Sequence, residues 1–65
     1  MQLSDLTRPE AEYFRKECNF TPTERRVFDL RVSDKSIVEV CIELSLSESA
    51  VNRKIRCIKA KMARV

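Results

Sequence analysis

Between Ser47 and Lys59 the chain gathers Ser49, Asn52, Arg53, Lys54, Arg56 and Lys59, side chains whose chemistry is hydrogen bonding and charge pairing rather than bond making. An arginine fork grips a carboxylate, a phosphate or the edge of a base through two parallel bonds. An asparagine amide matches donor to acceptor in the same two-pronged way, and a serine hydroxyl serves either role. Groups for covalent catalysis are scarce. The 65 residues include no histidine and no glycine, which excludes a histidine-dependent triad, a P-loop and a dinucleotide-binding glycine fingerprint. Cys18, Cys41 and Cys57 form no C-x-x-C pair and have no histidine to complete a zinc site, so they read as reduced thiols, and no metal or other cofactor is expected. A core this small does not enclose the roughly 300 Å3 or more of a substrate pocket. The chain is therefore expected to be no enzyme, to take no small-molecule substrate and to work through a surface.

That surface needs elements to hold it, and a chain of 7.6 kDa has room for a single domain, here residues 1–65. The absence of glycine and the abundance of Glu, Arg, Lys, Leu and Ala favour an all-α fold. Thr7-Arg8-Pro9-Glu10, Thr21-Pro22-Thr23-Glu24 and Ser36-Ile37-Val38-Glu39 each fit a capping box, and Ser47 can cap a further helix. Four helices follow, over residues 8–18, 22–32, 37–44 and 48–62, in a compact four-helix domain containing a helix-turn-helix. In the last of them, with Val51 at zero and about 100° per residue, Ile55, Ile58 and Met62 fall within about 40° of it. Asn52, Arg56, Ser49 and Arg53 lie at about 100°, 140°, 160° and 200°. One stripe is predicted to enter the core and the other to face outward. Inward-facing residues elsewhere are Ile37, Val40, Cys41 and Leu44, then Val27, Phe28 and Leu30, and in the first helix Ala11 and Phe14, with Tyr13 and Cys18 as further candidates.

Charge is distributed unevenly. Residues 1–47 carry seven Lys and Arg against nine Asp and Glu, net −2, whereas residues 48–65 carry six against Glu48 alone, net +5. A basic last helix is the electrostatic footprint of a nucleic-acid binder, although a membrane surface or an acidic protein attracts the same pattern. No apolar run reaches the length of a membrane span or a signal-peptide core, so a cytoplasmic chain without membrane contact is expected. Only Ser45-Leu46-Ser47 separates the third helix from the fourth, the short connection of a helix-turn-helix whose second helix enters the DNA major groove. On that reading Ser49, Asn52 and Arg53 contact bases, and Lys35, Ser36, Ser47, Lys54, Arg56 and Lys59 contact phosphates. Each also has a plainer explanation as a solvated polar residue or a helix cap, and Lys61 is expected to be a bystander.

Residues 20–62, FTPTERRVFDLRVSDKSIVEVCIELSLSESAVNRKIRCIKAKM, resemble region four of bacterial sigma factors and, more loosely, the DNA-binding domain of LuxR-type regulators. The likeness is carried by T-P-x-E-R-x-V-F-x-L-R, S-I-V-E-V-C-x-x-L-x-L-S and S-x-x-A-V-x-R-x-I-R in that order, over about two-thirds of the chain. An additional helix before the motif, rather than after it, is similar to sigma region four. The resemblance implies an N-terminal helix packed on the motif and a transcription regulator of bacterial or phage origin that reads double-stranded DNA. RNA polymerase, or a second copy of the chain, would act alongside. The alternative is a helical interaction module that binds polymerase or another regulator without reading DNA. Two local expectations accompany this. Ser45 stands where a glycine is common, and the cost of a left-handed backbone predicts a turn of different conformation. Val38 and Ile42, off the core stripe of the third helix, are expected to pack against the N-terminal helix, or else to form an exposed patch for a partner.

Overall fold

The computed structural model of the protein describes residues 3–65. After a 3-10 turn at Leu3–Asp5 come α1 (Arg8–Glu17), α2 (Pro22–Val32), α3 (Ile37–Leu44) and α4 (Glu48–Met62), and no strand occurs among the described residues. All three capping boxes form. The Thr7 hydroxyl accepts the Glu10 amide at 3.3 Å while Glu10 accepts the Thr7 amide at 2.9 Å; the pairs Thr21/Glu24 and Ser36/Glu39 repeat the exchange at 3.0–3.2 Å. Each box satisfies amides that have no partner inside the helix. Ser47 caps α4 by accepting the Ala50 amide at 3.2 Å. The one difference in helix bounds is at the end of α1, where Cys18 turns to an extended backbone and serves as the cap.

The core is built where the apolar stripes converge. Val27, Phe28, Val40, Val51 and Ile58 are wholly buried, with Leu3, Ala11, Cys18 and Met62 nearly so. Phe14, Phe20, Leu30, Ile37, Cys41, Leu44, Leu46 and Ile55 pack against them half-buried. Phe20 meets Phe28 with ring centroids 5.0 Å apart. Tyr13, a candidate for the core, is half-exposed and only meets Phe14 edge-on at 5.4 Å. Leu3 enters the core from ahead of the first capping signal, so no helical periodicity marked it.

Two turns use left-handed backbone. Ser45 has φ 55° and ψ 43°, so the expectation of a different turn before α4 is wrong. The Ser45 and Leu46 amides both donate to the Cys41 carbonyl, the second at 3.0 Å, closing a Schellman-type end that satisfies a carbonyl α3 leaves unpaired. Leu46 is drawn onto the core by the same turn. These gains offset the ~1–2 kcal/mol that a non-glycine residue loses there. Asp34, with φ 67°, does the same between α2 and α3, where the Lys35 amide reaches the Leu30 carbonyl at 3.0 Å.

α1 lies on α2 and the end of α4. Arg15 donates from Nε to Asp29 at 2.9 Å and sits 5.9 Å from the Phe28 ring centroid, and Phe14 borders a groove with Lys59, Met62 and Ala63. Val38 and Ile42 are consequently not covered: they are 57% and 75% exposed, which overturns their expected packing on the N-terminal helix.

Lys61 is no bystander. Its ammonium donates to the buried Glu24 carboxylate at 2.6 Å and to the Asn19 carbonyl at 2.9 Å, tying the last turn of α4 to the start of α2. Burial raises the Glu24 pKa, but the Lys61 hydrogen bond, the Thr21 amide and the charges of Lys61 and Lys54 outweigh it and hold the carboxyl below its ordinary value. A carboxylate whose folded pKa is depressed contributes stability above its unfolded pKa and loses it as pH falls through the folded one. The melting temperature is therefore expected to fall on acidification below about pH 4.5. Glu24→Gln should flatten that part of the profile, and Lys61→Ala should cost about 1–2 kcal/mol near neutral pH, the ammonium being partly exposed. Thermal melts of both variants against pH check this; an unchanged acid limb in Glu24→Gln would assign it to other carboxylates.

Candidate nucleic-acid interface

The face of α4 opposite Val51, Ile58 and Met62 is open. Ser49, Asn52, Arg53 and Arg56 are all exposed, and the angles that separate them from the buried stripe follow from the helical repeat. Along the axis, Ser49 to Arg56 spans seven residues, about 10 Å. This group is brought together on one surface as the sequence predicts. Glu48, the only acidic residue of α4, sits in the first turn, where its charge complements the helix dipole and stays clear of Arg53 and Arg56.

The remaining predicted residues divide. Lys59 is exposed on the edge of the same face, beside the groove with Phe14 and Met62. Lys54 is half-buried on the α2 flank, where its charge acts on Glu24, so it stands apart from the open face. Ser47 accepts the Ala50 amide on its hydroxyl oxygen and keeps a hydroxyl proton to donate, whereas Ser36 accepts the Glu39 amide and its hydroxyl also bonds the Glu39 carboxylate. Lys35 is exposed at the start of α3, its carbonyl held by the Arg31 guanidinium. These three belong to the two helix starts of the turn motif rather than to the face of α4.

Sequence reasoning missed part of this face. Cys57, Ala60 and Ala63 are exposed and continue it beyond Arg56. Two alanines in line leave the backbone of α4 close to the surface, so a bulky partner can approach nearly to the helix itself. The helical repeat that places Arg53 and Arg56 outward places these residues there too, but alanine and cysteine carry no charge that marks a binding face. The three thiols are free and differ in setting: Cys57 is exposed, Cys41 half-buried and Cys18 buried. Burial raises the Cys18 thiol pKa against the pull of Lys61.

Chemically, the face offers forked guanidinium groups, a carboxamide and a hydroxyl on a rigid helix, with cations at its margin and no group of three metal-ligating side chains among the described residues. It can bind an extended anion and read hydrogen-bonding edges presented to it. No helix among the described residues is long and apolar enough to cross a membrane. Compared with protein-family models, with curated proteins and with solved structures, the chain matches none.

Proposed function

We propose that this protein is a sequence-specific, double-stranded DNA-binding transcription regulator of the sigma-region-four type, acting in the cytoplasm of a bacterium or in a phage-infected one. One observation carries the reading: the open polar face of α4, with Arg53 and Arg56 at its centre, lies opposite the buried Val51 stripe and just after a three-residue turn from α3. A helix with its side chains is about 10–12 Å across and the major groove is about 12 Å wide, so α4 fits there with this face inward. Arg53 pairs with a guanine, Asn52 with an adenine and Ser49 with a base at the entering end, while Arg56, Lys59 and the helix starts at Lys35, Ser36 and Ser47 meet phosphates. Lys54 is the weakest of these contacts, since α2 competes for it.

A second reading, an interaction module for RNA polymerase or another regulator that leaves DNA unread, is favoured by the exposed Val38 and Ile42 on α3. Selection of bound sequences from a random duplex pool, followed by titration at two salt concentrations, separates the two. Base reading gives a recovered consensus bound at least about a thousandfold more tightly than random duplex, and a logarithmic salt slope of several units. Recovery of no consensus, with no salt-dependent binding, would give the interaction module the lead.

A further inference from the structure

Two neighbouring side chains of α4 diverge. Asn52 and Arg53 are both exposed, and neither side chain is bound by another group among the described residues. Successive residues of a helix rise by only about 1.5 Å along its axis while turning by about 100° around it. With their tips on a radius of about 5–6 Å, the two groups stand roughly 8 Å apart across the helix and almost level along it. Ser49, one turn earlier, falls between them, about 60° from Asn52 and about 40° from Arg53. A line through Ser49 therefore divides the face into two flanks, one led by the carboxamide and the other by the guanidinium.

In a major groove about 12 Å wide, with α4 lying in it, the two flanks look toward different strands. Successive bases of one strand are instead displaced along the duplex, by about 3.4 Å. Groups splayed across the groove and level along it do not match neighbouring bases of one strand. We infer that Asn52 and Arg53 read purines of opposite strands at adjacent base pairs. The carboxamide takes N6 and N7 of adenine, and the guanidinium takes O6 and N7 of guanine. One base pair does not supply both purines, because adenine faces thymine and guanine faces cytosine. The core of the site is then adenine beside cytosine on one strand and thymine beside guanine on the other, and the purine-purine steps AG and GA are excluded. Ser49 adds a contact toward the start of α4 without choosing a strand, since its hydroxyl both donates and accepts. This strand assignment rests on the DNA reading proposed above, which gives each side chain a base but no strand.

The test uses the intact protein and duplexes of the selected site in which one purine at a time is replaced by its 7-deaza analogue, which lacks the N7 acceptor in the major groove. Replacing one guanine should weaken wild-type binding roughly fivefold or more and leave Arg53→Ala unaffected. Replacing one adenine, at the adjacent base pair and on the other strand, should weaken the wild type similarly and leave Asn52→Ala unaffected. Both substitutions fall at exposed helical positions and gain helix propensity, so the variants are expected to melt no lower than the wild type. Finding the two purines on the same strand, or more than one base pair apart, would overturn the strand assignment and leave the DNA reading standing. So would an Asn52→Ala or Arg53→Ala protein that stays sensitive to every replacement the wild type senses. A selected site in which no purine of either strand responds, or a pool that yields no consensus, would reject the DNA reading itself.

Discussion

Val51→Asp is expected to leave a chain with no cooperative thermal transition. Val51 is wholly buried with Phe28, Val40 and Ile58, at the level where α4 packs on both α2 and α3. A carboxylate introduced there has no partner among those side chains and must either lose its hydration or take up a proton, at a cost of several kcal/mol. A domain of 65 residues has roughly 3–10 kcal/mol of total stability to oppose that. Ile58→Asp should behave alike, whereas Arg56→Asp, on the opposite face, should melt as a folded protein. Circular-dichroism melts of the three variants provide the check. A Val51→Asp protein with the wild-type melting temperature would mean that α4 is turned the other way, and the proposed reading face would be lost with it.

Arg53→Ala and Lys59→Ala are expected to damage DNA binding in different ways. Arg53 lies at the centre of the open face, within two turns of the Ser47 cap, where a recognition helix penetrates deepest. Losing a two-pronged guanine contact costs about 1–3 kcal/mol on the selected site and relaxes the preference at one base pair, leaving weak non-specific binding nearly unchanged. Lys59 lies further along, on the margin beside Phe14 and Met62, and on the proposed reading meets a phosphate. Its removal should weaken binding about equally on every duplex and reduce the logarithmic salt slope by about one unit. Titrations on the selected site and its single-base variants read both effects. Uniform weakening with unchanged base preference in Arg53→Ala would move the reading face elsewhere on α4.

How much of this was legible beforehand depended on the range over which each signal acts. Capping boxes are local: Thr7 with Glu10, Thr21 with Glu24 and Ser36 with Glu39 are three residues apart, and the three predicted helix starts they mark were found where they stand. The buried stripe of α4 is nearly as local, since a single helical repeat sets it, though Ile55 at its edge is only half-buried. The left-handed Ser45 is not legible in the sequence, because its compensation comes from two amides converging on the Cys41 carbonyl and from Leu46 reaching the core, neither of which is a property of serine. Lys61 and Glu24 are 37 positions apart, and nothing in either neighbourhood announces the pair. The same holds for Val38 and Ile42: whether an apolar pair on α3 is covered depends on where α1 comes to rest, and Arg15 with Asp29 holds α1 along α2 instead. Within the site, the Ser49, Asn52, Arg53 and Arg56 face came from periodicity alone, while the half-buried position of Lys54 depended on α2.

The central claim, that α4 lies in the major groove with its open face to the bases, is tested most directly by methylation of the bound duplex. Guanine N7 is displayed in the major groove and adenine N3 in the minor groove, so dimethyl sulfate reports on both in one reaction. Wild-type protein is expected to shield guanine N7 positions within the selected site and leave adenine N3 reactive, and Arg53→Ala, compared at equal occupancy, should restore reactivity at one guanine. Binding that leaves every guanine N7 of the site reactive, or that shields adenine N3 instead, would contradict it.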